Sequence, residues 1–329
     1  MRKQLFTLLV GAMLLNSTST KAQIIDLVND WTTTALPLGP TGTGFMDYTD
    51  DSCMFGFTTS PESSGVGILD TNGVPVTYPD LTVLDLTSEV QAVQVVDNHT
   101  YVSFFDEADA IFGLIRMDID TYGIAQVETA IPALYEEFTY VNCLNNNLVE
   151  ETVIFVYMKA KNTSTGKWTS LLLKHTYNKI TNEFSEGQFI EINMPGKDTY
   201  PSKLLNFEFT DIVITSYFDG GNTDILVTRI DENGEILYKK TISGYPGKDD
   251  LPIDLVKDNS NNVFCIAQSE DNVGANNHIA VIKINPNTGK AVWTKRVGEA
   301  TPGSETVVCA SGNTLGGGLA FAGNVTDGA

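Results

Sequence analysis

Apolar and polar residues alternate along this chain in short runs, each closed by Asp or Asn and a polar turn before a second run begins. The pattern is clearest in LVTRIDENGEILYKK at 226–240 and AVIKINPNTGKAVWTK at 280–295. Looser copies are GILDTNGVPV at 67–76, LIRMDIDTYGIAQVE at 114–128 and HTYNKITNEFSEG at 175–187. Strict alternation over such lengths marks β-strands with one face buried, and the Asp/Asn-to-Gly step between them marks a hairpin loop. Anchored on Asp70, Asp118, Asn178, Asp231 and Asn285, the copies recur at steps of 48, 60, 53 and 54 residues. A period in this range, built only of strands and turns, predicts an all-β fold: a β-propeller of four-stranded antiparallel blades.

The best-defined unit reads as four strands, A to D, at 252–257, 262–269, 278–285 and 290–297. The unit before it covers 202–242, with B at 209–218 and C at 224–231. Earlier units cover 138–192, 91–131 and, most degraded, 44–80. A last unit shows A at 306–310 and B at 318–323 and then stops, so about six repeats are visible and the last blade is incomplete. The ending in GNVTDGA, where another strand is due, points to a truncated C-terminus. Residues 27–36, with Trp31, are a candidate closing strand for that blade. The D-to-A connections repeat as well: Pro195-Gly196-Lys197-Asp198 and Pro246-Gly247-Lys248-Asp249 stand 51 residues apart, with a weaker copy at Pro302-Gly303-Ser304-Glu305.

The first 22 residues read as a secretory signal: Arg2 and Lys3, an apolar run over 5–15 too short for a bilayer, then Lys21-Ala22. This leaves a single propeller domain over 23–329, placed at the cell surface, in the periplasm or outside the cell, with no membrane span. Loss of residues 1–22 removes three basic side chains and no acid, so 17 remain of the original 20 against 41 acidic ones, and the net charge moves from −21 to −24. Such a charge repels phosphate backbones and excludes nucleic acid as a partner. The four cysteines, Cys53, Cys143, Cys265 and Cys309, fall in different repeats and form no close pair. Buried free thiols are the expectation for them.

Asp249-Asp250, Asn261-Asn262-Val263-Phe264 and Ala280-Val281-Ile282-Lys283-Ile284-Asn285, continued by Asn313 and Gly323-Asn324, resemble the β-propeller repeats of secreted bacterial proteins (SBBP-type), best over 200–328. Asn287-Thr288-Gly289-Lys290-Ala291-Val292-Trp293 is similar to quinoprotein-type repeats, whose Trp packs between blades. The resemblance implies a secreted or surface-attached binding or scaffolding module and transfers no catalytic residue.

Strand order puts the B–C and D–A loops on one face. That face collects Asp106, Glu107, Asp109, Asp198, Asp219, Asp249, Asp250, Glu270 and Asp271. Converging carboxylates of this kind can hold Ca²⁺, and Asp106, Asp219, Asp249, Asp250 and Asp271 are the metal candidates. Tyr200, Asn222 and Tyr245 are candidates for stacking on or hydrogen-bonding to a ligand. The three histidines, His99, His175 and His278, lie in three repeats with no HExxH pairing, and no GxSxG elbow occurs. The expectation is a binding or scaffolding module for a protein or glycan partner. The rival is an enzyme, quinone-dependent or glycan-active, with its site at the channel mouth.

Overall fold

The computed structural model describes residues 46–48, 52–60, 63–70, 89–96, 99–106, 110–118, 123–207, 211–219, 222–244, 247–270, 277–297, 303–312 and 318–327. The expected signal segment at 1–22 and the candidate closing strand at 27–36 lie outside these residues. Every regular element among the described residues is a β-strand. The chain divides into two compact units: Met1–Glu107 with Met117–Tyr122, and Ala108–Arg116 with Gly123–Ala329.

In the first unit β1 (Met46–Tyr48), β2 (Ser52–Ser60) and β3 (Ser63–Asp70) form an antiparallel meander, and β4 (Glu89–Val96) pairs antiparallel with β5 (His99–Asp106). His99 Nε2 stands 3.1 Å from Oδ2 of Asp118, one of the repeat anchors.

The second unit opens with most of β6 (Ile111–Asp118) and with β7 (Ile124–Ala130). The next sheet holds β8 (Tyr135–Asn147), β9 (Glu151–Asn162) and β10 (Lys167–Asn178), with β11 (Glu183–Phe184) and β12 (Gln188–Ile192) both paired to β10. Then come β13 (Thr199–Phe207), β14 (Asp211–Asp219), β15 (Thr223–Ile230) and β16 (Ile236–Ile242), a four-stranded antiparallel sheet in chain order. The sheet of β17 (Asp250–Lys257), β18 (Val263–Glu270), β19 (Asn277–Ile284) and β20 (Ala291–Val297) repeats that plan. Last comes the pair β21 (Gly303–Ser311) and β22 (Ala320–Asp327). Each expected strand from 252 to 297 is present within two residues of its expected bounds.

First strands of successive sheets lie side by side. Asn206 Nδ2 on β13 donates to Asn145 O on β8 at 3.4 Å, and Ser202 Oγ on β13 donates to Pro252 O on β17 at 2.8 Å. Ala310 N on β21 donates to Asp254 Oδ2 on β17 at 2.7 Å. The fourth strands β16 and β20, by contrast, are exposed along almost their whole length. Inner strands in contact and outer strands in solvent are the radial plan of a β-propeller. Middle strands are therefore covered on both faces: Ile154, Phe155, Val156 and Tyr157 are consecutive and all fully buried. Between the second and third of these sheets, Phe207, Val213, Ile225 and Val227 pack with Leu255, Cys265 and Ile282.

A β-bulge falls in the first strand of each later sheet, at Gln91 in β4, Val141 in β8, Ser202 in β13, Ile253 in β17 and Val308 in β21, and β8 has a second irregularity between Glu136 and Thr139. The extra residue sharpens the local twist.

The structure also explains why the repeat phrase ends in Asp or Asn. Asp231 Oδ1 accepts the N–H groups of Asn233 and Glu235, and Asn178 Oδ1 those of Ile180 and Thr181. Asn285 Oδ1 accepts that of Asn287. Each closes an Asx turn, and the residue tolerant of positive φ follows as expected at Asn182 (φ 60°), Gly234 (87°) and Gly289 (70°).

The outer edge of the β8–β12 sheet is divided between β11 and β12, and between them the Ser185 hydroxyl accepts the Thr176 N–H while its carbonyl lies 3.2 Å from His175 Nδ1. One expectation is corrected. Among the cysteines, Cys143 and Cys265 are buried thiols, but Cys309 is exposed. The bulge at Val308 shifts the in–out alternation of β21, leaving Val308 66% exposed and Cys309 beside it in solvent. Cys53 lies on β2, and its environment is outside the described residues.

Candidate functional site

Antiparallel order brings the start of strands A and C, the end of B and D, and the loops between them to one edge of each sheet. The repeated D–A loop is tied to that edge by its Asp. Asp198 Oδ1 accepts the backbone N–H of Trp168, the second residue of β10, at 2.9 Å. Asp249 Oδ1 accepts the N–H of Thr223, the first residue of β15, at 2.6 Å. The Gly of the repeat adopts positive φ in both copies, 72° at Gly196 and 75° at Gly247, with open space where a Cβ would stand.

Just inside these loops, three buried polar residues occupy one position, three residues before the bulge of each first strand: Thr199, Asp250 and Glu305. Thr199 Oγ1 accepts the Met194 N–H at 3.1 Å. Asp250 Oδ2 accepts from Ser243 Oγ at 2.6 Å and Gly244 N at 2.7 Å, while its Oδ1 accepts from Ser269 Oγ. Glu305 Oε2 stands 3.6 Å from Nδ1 of the buried His278. Asp224 on β15 lies near Asp249 and Asp250; its burial, and then those two charges, raise its carboxyl above the usual range.

The metal candidates are distributed as follows. Asp106 ends β5 in the first unit, and Asp219 ends β14 in the second. Asp249 serves as the loop tie, and Asp250 is filled by protein donors. Asp271 is outside the described residues. Among the described residues, no group of three His, Cys, Asp or Glu is placed to hold a metal ion. Of the ligand candidates, Tyr200 stacks on its cross-strand partner Tyr217, with centroids 5.1 Å apart and planes at 23°. Asn222 is exposed beside Thr223. Tyr245 lies outside the described residues.

The concave feature of this edge is one the sequence reading passed over. A recess of about 150 Å³ opens between the β9–β10 turn and the D–A loop at 193–197. Its floor and walls come from Trp168, Thr169, Glu191, Asn193 and Lys197, with Asn162 and Lys167 at the turn. Lys159 Nζ sits 4.0 Å from the indole centroid of Trp168. Lys167 Nζ pairs with Asp198 at 3.3 Å, so one carboxylate fixes both the Trp168 backbone and the neighbouring cation. Thr169 is 2% exposed and lines the recess, and its hydroxyl meets no protein partner among the described residues. A Trp two residues after an Asn-Thr-Ser-Thr-Gly turn and 30 residues before a repeated loop Asp was the available signal. A wider hollow of about 370 Å³ between β7 and β11 is lined by Ile124, Val127 and Phe184 and carries one charged group, Glu183.

No protein-family model matches the chain. No curated protein matches it either. Among solved structures, it is similar to an ulvan lyase of polysaccharide lyase family PL25, bound to -[GlcA(1-4)Rha3S]-. That likeness has a TM-score of 0.50 and 11% identity, over 82% of this chain and 72% of that one. An ACO/RPE65 chimera matches at TM-score 0.48 and 8% identity over 80% of this chain, which spans 64% of the chimera's length. An alpha-L-arabinanase of Penicillium chrysogenum complexed with arabinobiose matches at TM-score 0.42 and 10% identity, over 65% and 69% of the two chains. At these identities the shared property is the propeller fold; chemistry has to be read from the site itself.

Proposed function

We propose that this chain is an exported β-propeller that binds a glycan in the Trp168 recess. The observation that carries the reading is the recess: an indole held at the loop edge by Asp198, ringed by amide, hydroxyl and charged groups. Pyranose rings stack their C–H faces on aromatic surfaces while their hydroxyls seek such groups, and a concave, partly apolar site with a few convergent polar groups is the general form of a small-ligand pocket. Export is supported by the positive start, short apolar run and Lys21-Ala22 of the first 22 residues. The repeat phrases support placement with the secreted bacterial repeat proteins. The ulvan lyase carries a saccharide on this same fold.

The test is isothermal titration of the mature chain against a panel of oligosaccharides, with Trp168→Ala as control. Stacking contributes enough that its loss should weaken binding by about tenfold or more. Saccharide binding unaffected by that substitution, or binding to none of the panel, overturns the reading.

A second reading, a glycan-active enzyme, is favoured by Asp224, whose raised carboxyl could hold a proton for transfer at the same edge. Release of reducing ends from a bound glycan, abolished by Asp224→Asn, would establish it; binding without turnover would leave the module reading.

A further inference from the structure

We infer that the Trp168 recess takes an anionic saccharide, one bearing a uronate carboxylate or a sulfate ester; this rests on the glycan reading above. The whole chain carries 20 basic against 41 acidic side chains, yet Lys167 and Lys197 line this recess and Lys159 lies over its Trp168 ring. Their settings differ. Lys167 is matched by Asp198. Lys197 lines the recess, is exposed and forms no ion pair among the described residues. Gly196, in the left-handed region at φ 72°, turns the loop at this point, and the Lys197 N–H donates to Met194 O at 3.0 Å.

A second observation points to a ligand independently of the charges. Thr169 lines the recess, and its buried hydroxyl has no hydrogen-bond partner among the described residues. A buried hydroxyl without a partner is costly, and an oxygen of a bound sugar would satisfy it. Glu191, which also lines the recess, can accept from sugar hydroxyls but repels an acid group, which favours Lys197 as the partner of the acid. The ligand is therefore a ring with a neutral hydroxyl edge and an anionic edge, its face on Trp168.

The experiment titrates the mature wild-type chain with three probes of matched length: an oligogalacturonate, a sulfated carrageenan oligosaccharide and a neutral xylo-oligosaccharide. Lys197→Gln and Thr169→Val are the variants, and circular dichroism checks their fold. An anionic probe should bind at least about tenfold more tightly than the neutral one, and the preference should shrink as salt is raised from about 50 mM to about 500 mM. Lys197→Gln should weaken the anionic probes by about tenfold and the neutral one by clearly less, removing most of the preference, and Thr169→Val should weaken every probe that binds. Which anionic probe wins separates carboxylate from sulfate recognition. Equal affinity for neutral and anionic probes, or an anionic preference untouched by Lys197→Gln, overturns this inference and leaves the Trp168 glycan reading standing. Failure of all three probes overturns both.

Discussion

Asp198 Oδ1 accepts the backbone N–H of Trp168 across 30 residues of sequence, and the same carboxylate pairs with Lys167 through Oδ2. One loop residue therefore sets the position of the indole at the recess. Asp198→Ala should lower stability by about 1–2 kcal/mol, the loss of a partly exposed charge-assisted hydrogen bond. It should also loosen Trp168, which denaturant unfolding together with saccharide titration will register. Asn, which keeps the acceptor, should restore most of both.

Asp250 is fully buried and accepts from Ser243, Gly244 and Ser269. Replacing it by Ala strands three donors, for a loss of about 3 kcal/mol or more in urea unfolding. Gly244→Ala attacks the same cluster sterically, because its Cβ would stand 2.6 Å from Asp250 Oδ1. A wild-type midpoint in both variants would show that the loop is not held this way.

Neighbouring sheets are also clasped at the opposite edge. Arg229 Nη2 pairs with Asp211 Oδ2 at 2.5 Å, while Nη1 donates to Pro286 O and Asn287 Oδ1 in the next sheet's turn. Tyr238 Oη donates to Pro286 O at 2.8 Å, and burial pushes its hydroxyl pKa up to about 12. Arg229→Ala removes the ion pair of a largely buried Asp211 and should cost about 3 kcal/mol. Tyr238→Phe should cost about 1 kcal/mol. Thermal or urea denaturation of the two variants checks the order.

His175 is buried, with Nε2 3.1 Å from the Thr129 hydroxyl and Nδ1 3.2 Å from Ser185 O. Burial lowers its pKa below the ordinary histidine value, against a smaller opposing effect of the Ser185 carbonyl. The unfolded chain thus binds the proton more readily. His175 contributes stability that is present above about pH 6.5 and is lost as pH falls through the lower folded-state value. Urea midpoints measured from pH 7.5 to pH 5 should decline, and His175→Gln should flatten that part of the profile.

Burial raises the Cys143 thiol pKa to about 12 and pushes that of Cys265 up as well, whereas Cys309 is exposed. Brief alkylation of the native protein near pH 8, followed by peptide mapping, should label Cys309 and spare Cys143 and Cys265 until denaturant is added. Labelling of Cys265 at the rate of Cys309 would contradict the packing between sheets.

The strand bounds from 250 to 297 were legible because the strands are short runs rich in β-branched and aromatic residues, and β17 and β19 end in Asx turns at Asp258 and Asn285, both local properties. Asp231, Asn285 and Gly289 announce their turns regardless of what surrounds them. The recess was not legible, because Trp168 becomes a site residue only when Asp198 folds back onto its N–H. Asp249 and Asp250 look interchangeable in sequence; one is an exposed tie and the other a buried hub, a distinction made by the neighbouring sheet. Cys309 misled for a related reason: one bulge residue reverses which side of β21 faces solvent.

The sequence by itself determined the all-β character, the repeat and its turns, since these follow from periodicity and from residues that bond their own backbone. Only the tertiary structure decided which polar groups are buried, which carboxylates serve as structural acceptors and where a concave surface forms. Those depend on contacts between different strands and loops, at separations such as 6 residues (Gly244 to Asp250) and 58 (Arg229 to Asn287), and the alternation of a single strand carries no information about them.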